Sequence, residues 1–255
     1  MTLIATIAAT GKDVESFTTP PDIWAQWRKH PIGTFVIGRH RTPAVLKRSP
    51  RGLQFFAAAP GEGGVTAPES IEHQIAKIQL VQGMRTAGHE ARVEYPGTTP
   101  SGEEWQADVF VQAPHGRVAI EVQMSQQHWD DYRSRTARYK ACGVFVVWLI
   151  RGVHHKAVGN SRIRYLMSQG LQLAEAMNHD MDDMPCIPLD KPVGDEDGPR
   201  VIVYPKDGSK PFLRLSLESF GAGVAAGALE YGENRYRDGS RAWPCWMWDS
   251  TKGLV

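Results

Sequence analysis

Two short runs constrain this chain more than anything else in it. Gln106-Ala107-Asp108-Val109-Phe110-Val111 and Val118-Ala119-Ile120-Glu121-Val122-Gln123 both alternate with period two, so side chains two apart share one face of a strand. Between them, Ala113-Pro114-His115-Gly116-Arg117 leaves room only for a hairpin turn. If Ala113 pairs with Gly116, Asp108 falls directly opposite Glu121. Two carboxylates then stand side by side on a sheet otherwise built of valine, isoleucine and alanine, and like charges at that spacing repel. A divalent cation would remove the repulsion, and hard oxygen ligands are what Mg²⁺ takes.

The flanking segments read as an α/β unit. A helix starts at Pro68-Glu69-Ser70, with proline and acid in its first turn, and runs to about Thr86, where Gly88 stops it. Ile71, Ile75 and Ile78 make its buried stripe. Glu69, His73 and Lys77 fall four apart on another line, which by spacing alone reads as an exposed charge ladder. Glu90 to Pro96 alternates as a strand, with Glu94 expected in solvent. Gln126 to Ala141 forms a second helix, packing through Trp129, Tyr132, Thr136 and Tyr139. Gly143 to Ile150 is apolar on both faces, as a buried central or parallel strand must be. The order is helix, strand, strand, strand, helix, strand, over about 80 residues, a normal size for a compact core.

On either side the signal thins. Residues 1–68 read as a β-rich segment with strands at Thr34–Gly38 and Gln54–Ala57, closed by a Gly/Pro-rich linker from Pro60 to Pro68. Residues 69–151 form the core, and 152–255 an α+β extension. In that extension we expect a helix from Ile163 to Met177, a Pro/Asp-rich loop to Gly198, strands at Val201–Tyr204 and Phe212–Leu217, and a helix from Leu217 to Leu229. Gly221 to Gly227 superficially suggests a dinucleotide loop but lacks the βαβ setting that such a loop needs. Asn178 to Asp183 reads as a solvated loop, and Trp243 to Trp248 as a hydrophobic plug on the core.

A net charge of +1 excludes a uniformly basic nucleic-acid binder but not a local patch. Arg39, Arg41, Lys47, Arg48 and Arg51 crowd one early segment, and acidic residues crowd 180–197. Three scattered cysteines suit neither a disulfide framework nor a metal knuckle. No apolar run reaches spanning length, and the first residues carry no positive leader segment. A cytoplasmic protein without a membrane segment is the expectation.

Several motifs in order give a resemblance. The chain offers Glu69-Ser70-Ile71-Glu72-His73-Gln74-Ile75-Ala76-Lys77, then Asp108, then Glu121-Val122-Gln123-Met124-Ser125, then Arg135, Tyr139 and Trp148. This set resembles the competence protein CoiA family of the PD-(D/E)XK nuclease superfamily, whose restriction-endonuclease-like core has the order αβββαβ. The resemblance implies a metal-dependent nuclease acting on the phosphodiester bonds of DNA, in competence, recombination or defence. Asp108 and Glu121 would hold Mg²⁺ or Mn²⁺, Gln123 would orient a water, and His73 or Lys77 would contact phosphate or assist proton transfer. Most of the superfamily has lysine where this chain, like the family, has Gln123. Relatives often carry an N-terminal zinc-binding module. Here Phe35-Val36-Ile37-Gly38-Arg39 and Phe55-Phe56-Ala57-Ala58 stand in its place, so no zinc is expected. Arg39, Arg41, Lys47, Arg48 and Arg51 would track the DNA backbone. A nucleic-acid-binding or protein-interaction module without turnover is the alternative, and the C-terminal region would be the surface for a protein partner or a second copy.

Overall fold

Aromatic side chains organise the first part of the chain. Strands β1 (Ile4–Ile7), β2 (Asp13–Glu15), β3 (Phe35–Ile37), β4 (Thr42–Arg48) and β5 (Gln54–Ala58), with helix α1 (Pro21–Trp27) after β2, form an antiparallel sheet of order β2-β1-β3-β4-β5. β4 alternates as a half-buried strand should, with Ala44 and Leu46 inward and Lys47 outward. Trp24 meets Phe56 edge-on at 4.9 Å and Phe35 lies tilted 5.8 Å from Phe56, so aromatic rings fill this interior. The structure, a computed structural model, describes residues 1–62, 69–178, 184–190, 198, 200–208, 210–235 and 242–252. It divides into two compact units, Met1–Ile78 and Gln79–Val255.

Helix α2 (Ile71–Thr86) carries the chain from the first unit into the second. It starts where expected, with the Ser70 hydroxyl accepting from His73 N–H as a cap. Its burial differs from the expected stripe. Ile71, Ile75 and Ile78 are half-buried, while Gln74, Ala76, Lys77, Leu80, Val81 and Met84 are fully buried.

In the second unit follow β6 (Ala91–Thr98), β7 (Glu104–Ala113), β8 (Gly116–Gln123), α3 (Trp129–Ala141) and β9 (Val144–Arg151), the order that the hydrophobic periods predict. Ala113 pairs with Gly116 and Val109 with Ile120, the expected hairpin register. β9 runs parallel to β8 on one side and to β10 (Cys186–Leu189) on the other. Val147, Trp148, Leu149 and Ile150 are therefore fully buried, which is why that run is unbroken in the sequence.

Beyond Arg151 the chain widens the same sheet. Its described order is β13-β14-β11-β10-β9-β8-β7-β6, built with β11 (Val201–Pro205), β13 (Leu229–Arg235) and β14 (Ala242–Trp248), and with β12 (Leu213–Leu215) paired to β11. The single helix expected from Ile163 is instead two, α4 (Gly152–Ser168) and α5 (Leu173–Asn178), broken at Gly170 with φ 99°. α4 begins eleven residues early because its first turns, rich in histidine and glycine, carry little apolar period. The glycine-rich stretch lies mostly in α6 (Leu217–Ala225), where a Cβ on Gly221 would fall 2.6 Å from the Leu80 carbonyl and one on Gly223 would strike the Trp248 ring. Helix packing therefore explains those two glycines. The expected plug is strand β14, with Trp248 buried and stacked on Phe220 at 5.6 Å. The loop at 179–183 and most of the acidic run lie outside the described residues. No described helix is long and apolar enough to cross a membrane.

Candidate active site around Glu121

Glu121 sits on β8 beside Trp148 of β9 and is 1 % exposed. Both its carboxylate oxygens are engaged. Arg135 donates through Nη2 to Oε2, and the Tyr139 hydroxyl donates to Oε1. Arg135 and Tyr139 are four apart on α3 and so leave the helix on one face, toward one carboxylate. The Tyr139 hydroxyl also lies 3.1 Å from the Gln106 carbonyl. Arg135 lies over the Trp148 ring at 4.7 Å, and Trp148 Nε1 donates to Thr136 Oγ1 at 3.0 Å, which fixes the ring.

Electrostatics follow the contacts. Burial works to lower the Arg135 pKa, but attraction to Glu121 and then Asp108 more than reverses this, so the guanidinium holds its proton above its ordinary value. The Tyr139 phenol is pushed well up, by burial first and then by the Glu121 charge, so it serves as a neutral donor.

Asp108 stands one step past the last Val109–Ile120 pair of the ladder, the position opposite Glu121. There the regular pairing stops, and Asp108 Oδ2 accepts from Val122 N–H at 2.8 Å. A divalent cation would remove the repulsion between the two carboxylates, but Arg135 already brings a positive charge to both. On the other side of β7, Val93 pairs with Val109 and Tyr95 with Ala107, so Glu94 falls across from Asp108. Glu94 has φ 52° and is 8 % exposed, against the expectation of an exposed strand residue. A glutamate in the left-handed region is strained, and such strain concentrates at functional sites.

Gln123, 7 % exposed, donates its amide to the Ser125 carbonyl at 2.8 Å and to Ser125 Oγ at 3.1 Å. The spacing Glu-x-Gln-x-Ser thus has a physical reason, since the serine fixes the glutamine. In the first unit, Lys77 Nζ lies 2.7 Å from Glu69 Oε2, and His73 Nδ1 lies 3.6 Å from the same oxygen. Gln74 also donates to that oxygen. Lys77 is 0 % exposed, so the reading of an exposed ladder does not hold.

The five basic residues are all exposed, but they do not form one cluster. Arg39 and Arg41 lie at the β3–β4 turn, and Lys47, Arg48 and Arg51 at the other end of β4, roughly 20 Å along the strand. Arg41 bonds the Ala8 carbonyl and Arg48 the Gly52 carbonyl. Sequence reasoning gave Arg135 and Tyr139 no task, although their helical spacing marks a shared face. Ser125 and Thr136 carried no signal beyond their place in a motif.

The α/β sheet carries carboxylates at the same level of neighbouring strands, one of them gripped from a crossover helix. Residues 69–186 match the family described as competence protein CoiA, nuclease-like domain. The match runs from just before α2 to the first residue of β10. No curated protein and no solved structure matches the chain.

Proposed function

We propose that this domain hydrolyses phosphodiester bonds of DNA with the help of Mg²⁺ or Mn²⁺, as a cytoplasmic DNA-processing enzyme. The observation that carries the reading is the placement of the motif residues in the second unit: Asp108, Glu121 and Gln123 occupy the adjoining strands β7 and β8, each fixed by a hydrogen bond. The donor chemistry fits a hard cation, with the Asp108 carboxylate on β7 as an oxygen ligand that could hold it. Glu121 fits as a further ligand only by sharing an oxygen that Arg135 or Tyr139 already uses. A bound cation of this kind polarises phosphate and lowers the pKa of a water.

The chain's own residues do the rest. Asp108 is aimed by the Val122 N–H, and Glu121 by Arg135 and Tyr139. With its amide N–H given to Ser125, Gln123 keeps its carbonyl to accept from a water O–H, which orients that water without taking a proton. His73, half-buried, suits proton transfer better than Lys77, whose ammonium is enclosed beside Glu69. DNA contact is supported by Arg39, Arg41, Lys47, Arg48 and Arg51, and also by α4. That helix carries no acidic residue and exposes Lys156 and Arg164 two turns apart, roughly 12 Å.

The burial of Glu121 favours a second reading, a DNA-binding module without turnover. Cleavage of plasmid and oligonucleotide in Mg²⁺, Mn²⁺ and EDTA, with Asp108→Asn and Glu121→Gln beside the wild type, separates the two. Each substitution should lower metal-dependent cleavage about a hundredfold or more while binding in Ca²⁺ persists. Cleavage that survives both substitutions would sink the site assignment, and binding without any cleavage by the wild type would favour the module. Glu121→Gln should also destabilise the protein by about 1–3 kcal/mol, because it strips Arg135 of its partner.

A further inference from the structure

We propose that Arg135 is a positioning residue and a built-in counter-ion, whose guanidinium holds the Glu121 carboxylate in place without metal and opposes entry of a divalent cation beside Asp108 and Glu121. This rests on the cation-dependent reading above. Three contacts set Arg135 where a cation would otherwise be needed: its bond to Glu121 Oε2, its place over the Trp148 ring at 4.7 Å, and the anchoring of that ring by Thr136. Glu121 is 1 % exposed with both oxygens engaged, and breaking such a buried pair leaves an uncompensated charge. A divalent ion arriving at the same carboxylates meets a fixed positive charge in a poorly screened setting. Arg135 therefore trades cation affinity for an intact site in the empty protein.

The balance of charge makes this testable apart from catalysis. Arg135→Gln removes the charge, whereas Arg135→Lys keeps the charge and loses the planar fork. Calorimetric titration with Mn²⁺ and thermal melts in EDTA and in Mn²⁺ should be made on the wild type, both single variants and the double variant E121Q/R135Q. Arg135→Gln should bind Mn²⁺ at least about tenfold more tightly than wild type. Its Tm should fall in EDTA and recover most of the loss in Mn²⁺. Arg135→Lys should stay within about threefold of the wild-type affinity. The double variant, which leaves no buried charge unpaired, should melt above Arg135→Gln in EDTA, and its Mn²⁺ binding should weaken again. If the wild type binds Mn²⁺ and Arg135→Gln binds it no more tightly, with a Tm loss that Mn²⁺ does not repair, Arg135 is a packing residue and the inference fails. Should Arg135→Gln not fold, E121Q/R135Q is compared with Glu121→Gln: tighter Mn²⁺ binding by the double variant supports the inference, and equal or weaker binding overturns it. If neither wild type nor any variant binds Mn²⁺, the cation-dependent reading itself falls, and the inference with it.

Discussion

Lys77 is the side chain whose surroundings differ most from what its spacing suggests. It is fully buried, with Glu69 Oε2 at 2.7 Å. Glu69→Gln should therefore cost about 1–3 kcal/mol, since it weakens the pairing of a buried ammonium. A surface ladder would lose less than about 0.5 kcal/mol. Urea denaturation measures the difference, and a cost within that smaller bound would return Glu69 to the surface reading. The sequence shows which residues share a helical line but not which line turns inward, so Glu69, His73 and Lys77 were recognisable as a set and not as a buried one. Asp108 and Glu121 were readable because strand alternation and a short hairpin fix register. Glu94 was not, because its left-handed backbone leaves no trace in a polarity pattern.

Elements were readable in proportion to their period. The helix and strands from α2 to β9 appear in the expected order because alternation and apolar runs are strong there. α4 escaped in part, since its buried face is thin, with Val158 as its fully buried residue. The crossing of α2 and α6 could not be foreseen, because close approach is a property of two helices far apart in the chain. At that crossing a Cβ on Gly83 would lie 2.0 Å from the Glu218 carbonyl oxygen. Gly83→Ala raises helix propensity yet must push backbone apart, so it should destabilise by about 1–3 kcal/mol. A rise in Tm would show that the two helices do not meet so closely.

For the molecule as a whole, two histidines tie stability to pH. His155 is held below its ordinary pKa by burial, and its Nε2 lies 3.0 Å from the Cys186 carbonyl. His115 is also lowered, by burial and then by His89 and Lys252. The unfolded chain takes up protons at these sites near pH 6.5 while the folded chain resists, so their stabilisation is present above that pH and is lost as pH falls below it. The loss approaches about 1.4 kcal/mol per pH unit for the largely enclosed His155 and is smaller for the exposed His115, where solvent screens the charge. Melts at pH 7.5 and 5.5 should show a steeper decline for wild type than for His155→Gln, and equal slopes would remove His155 from the account. The wide sheet has one more consequence. β6 to β9 are neighbours in sequence as well as in space, whereas β11 and β14 meet through Tyr204–Met247 and Pro205–Trp248, across some forty residues of intervening chain. Closing that loop costs entropy before any contact rewards it. The half of the sheet bearing Asp108 and Glu121 can therefore condense early, while the Trp246–Trp248 strand docks as a late step, leaving the β11 edge open to mispairing in the interval.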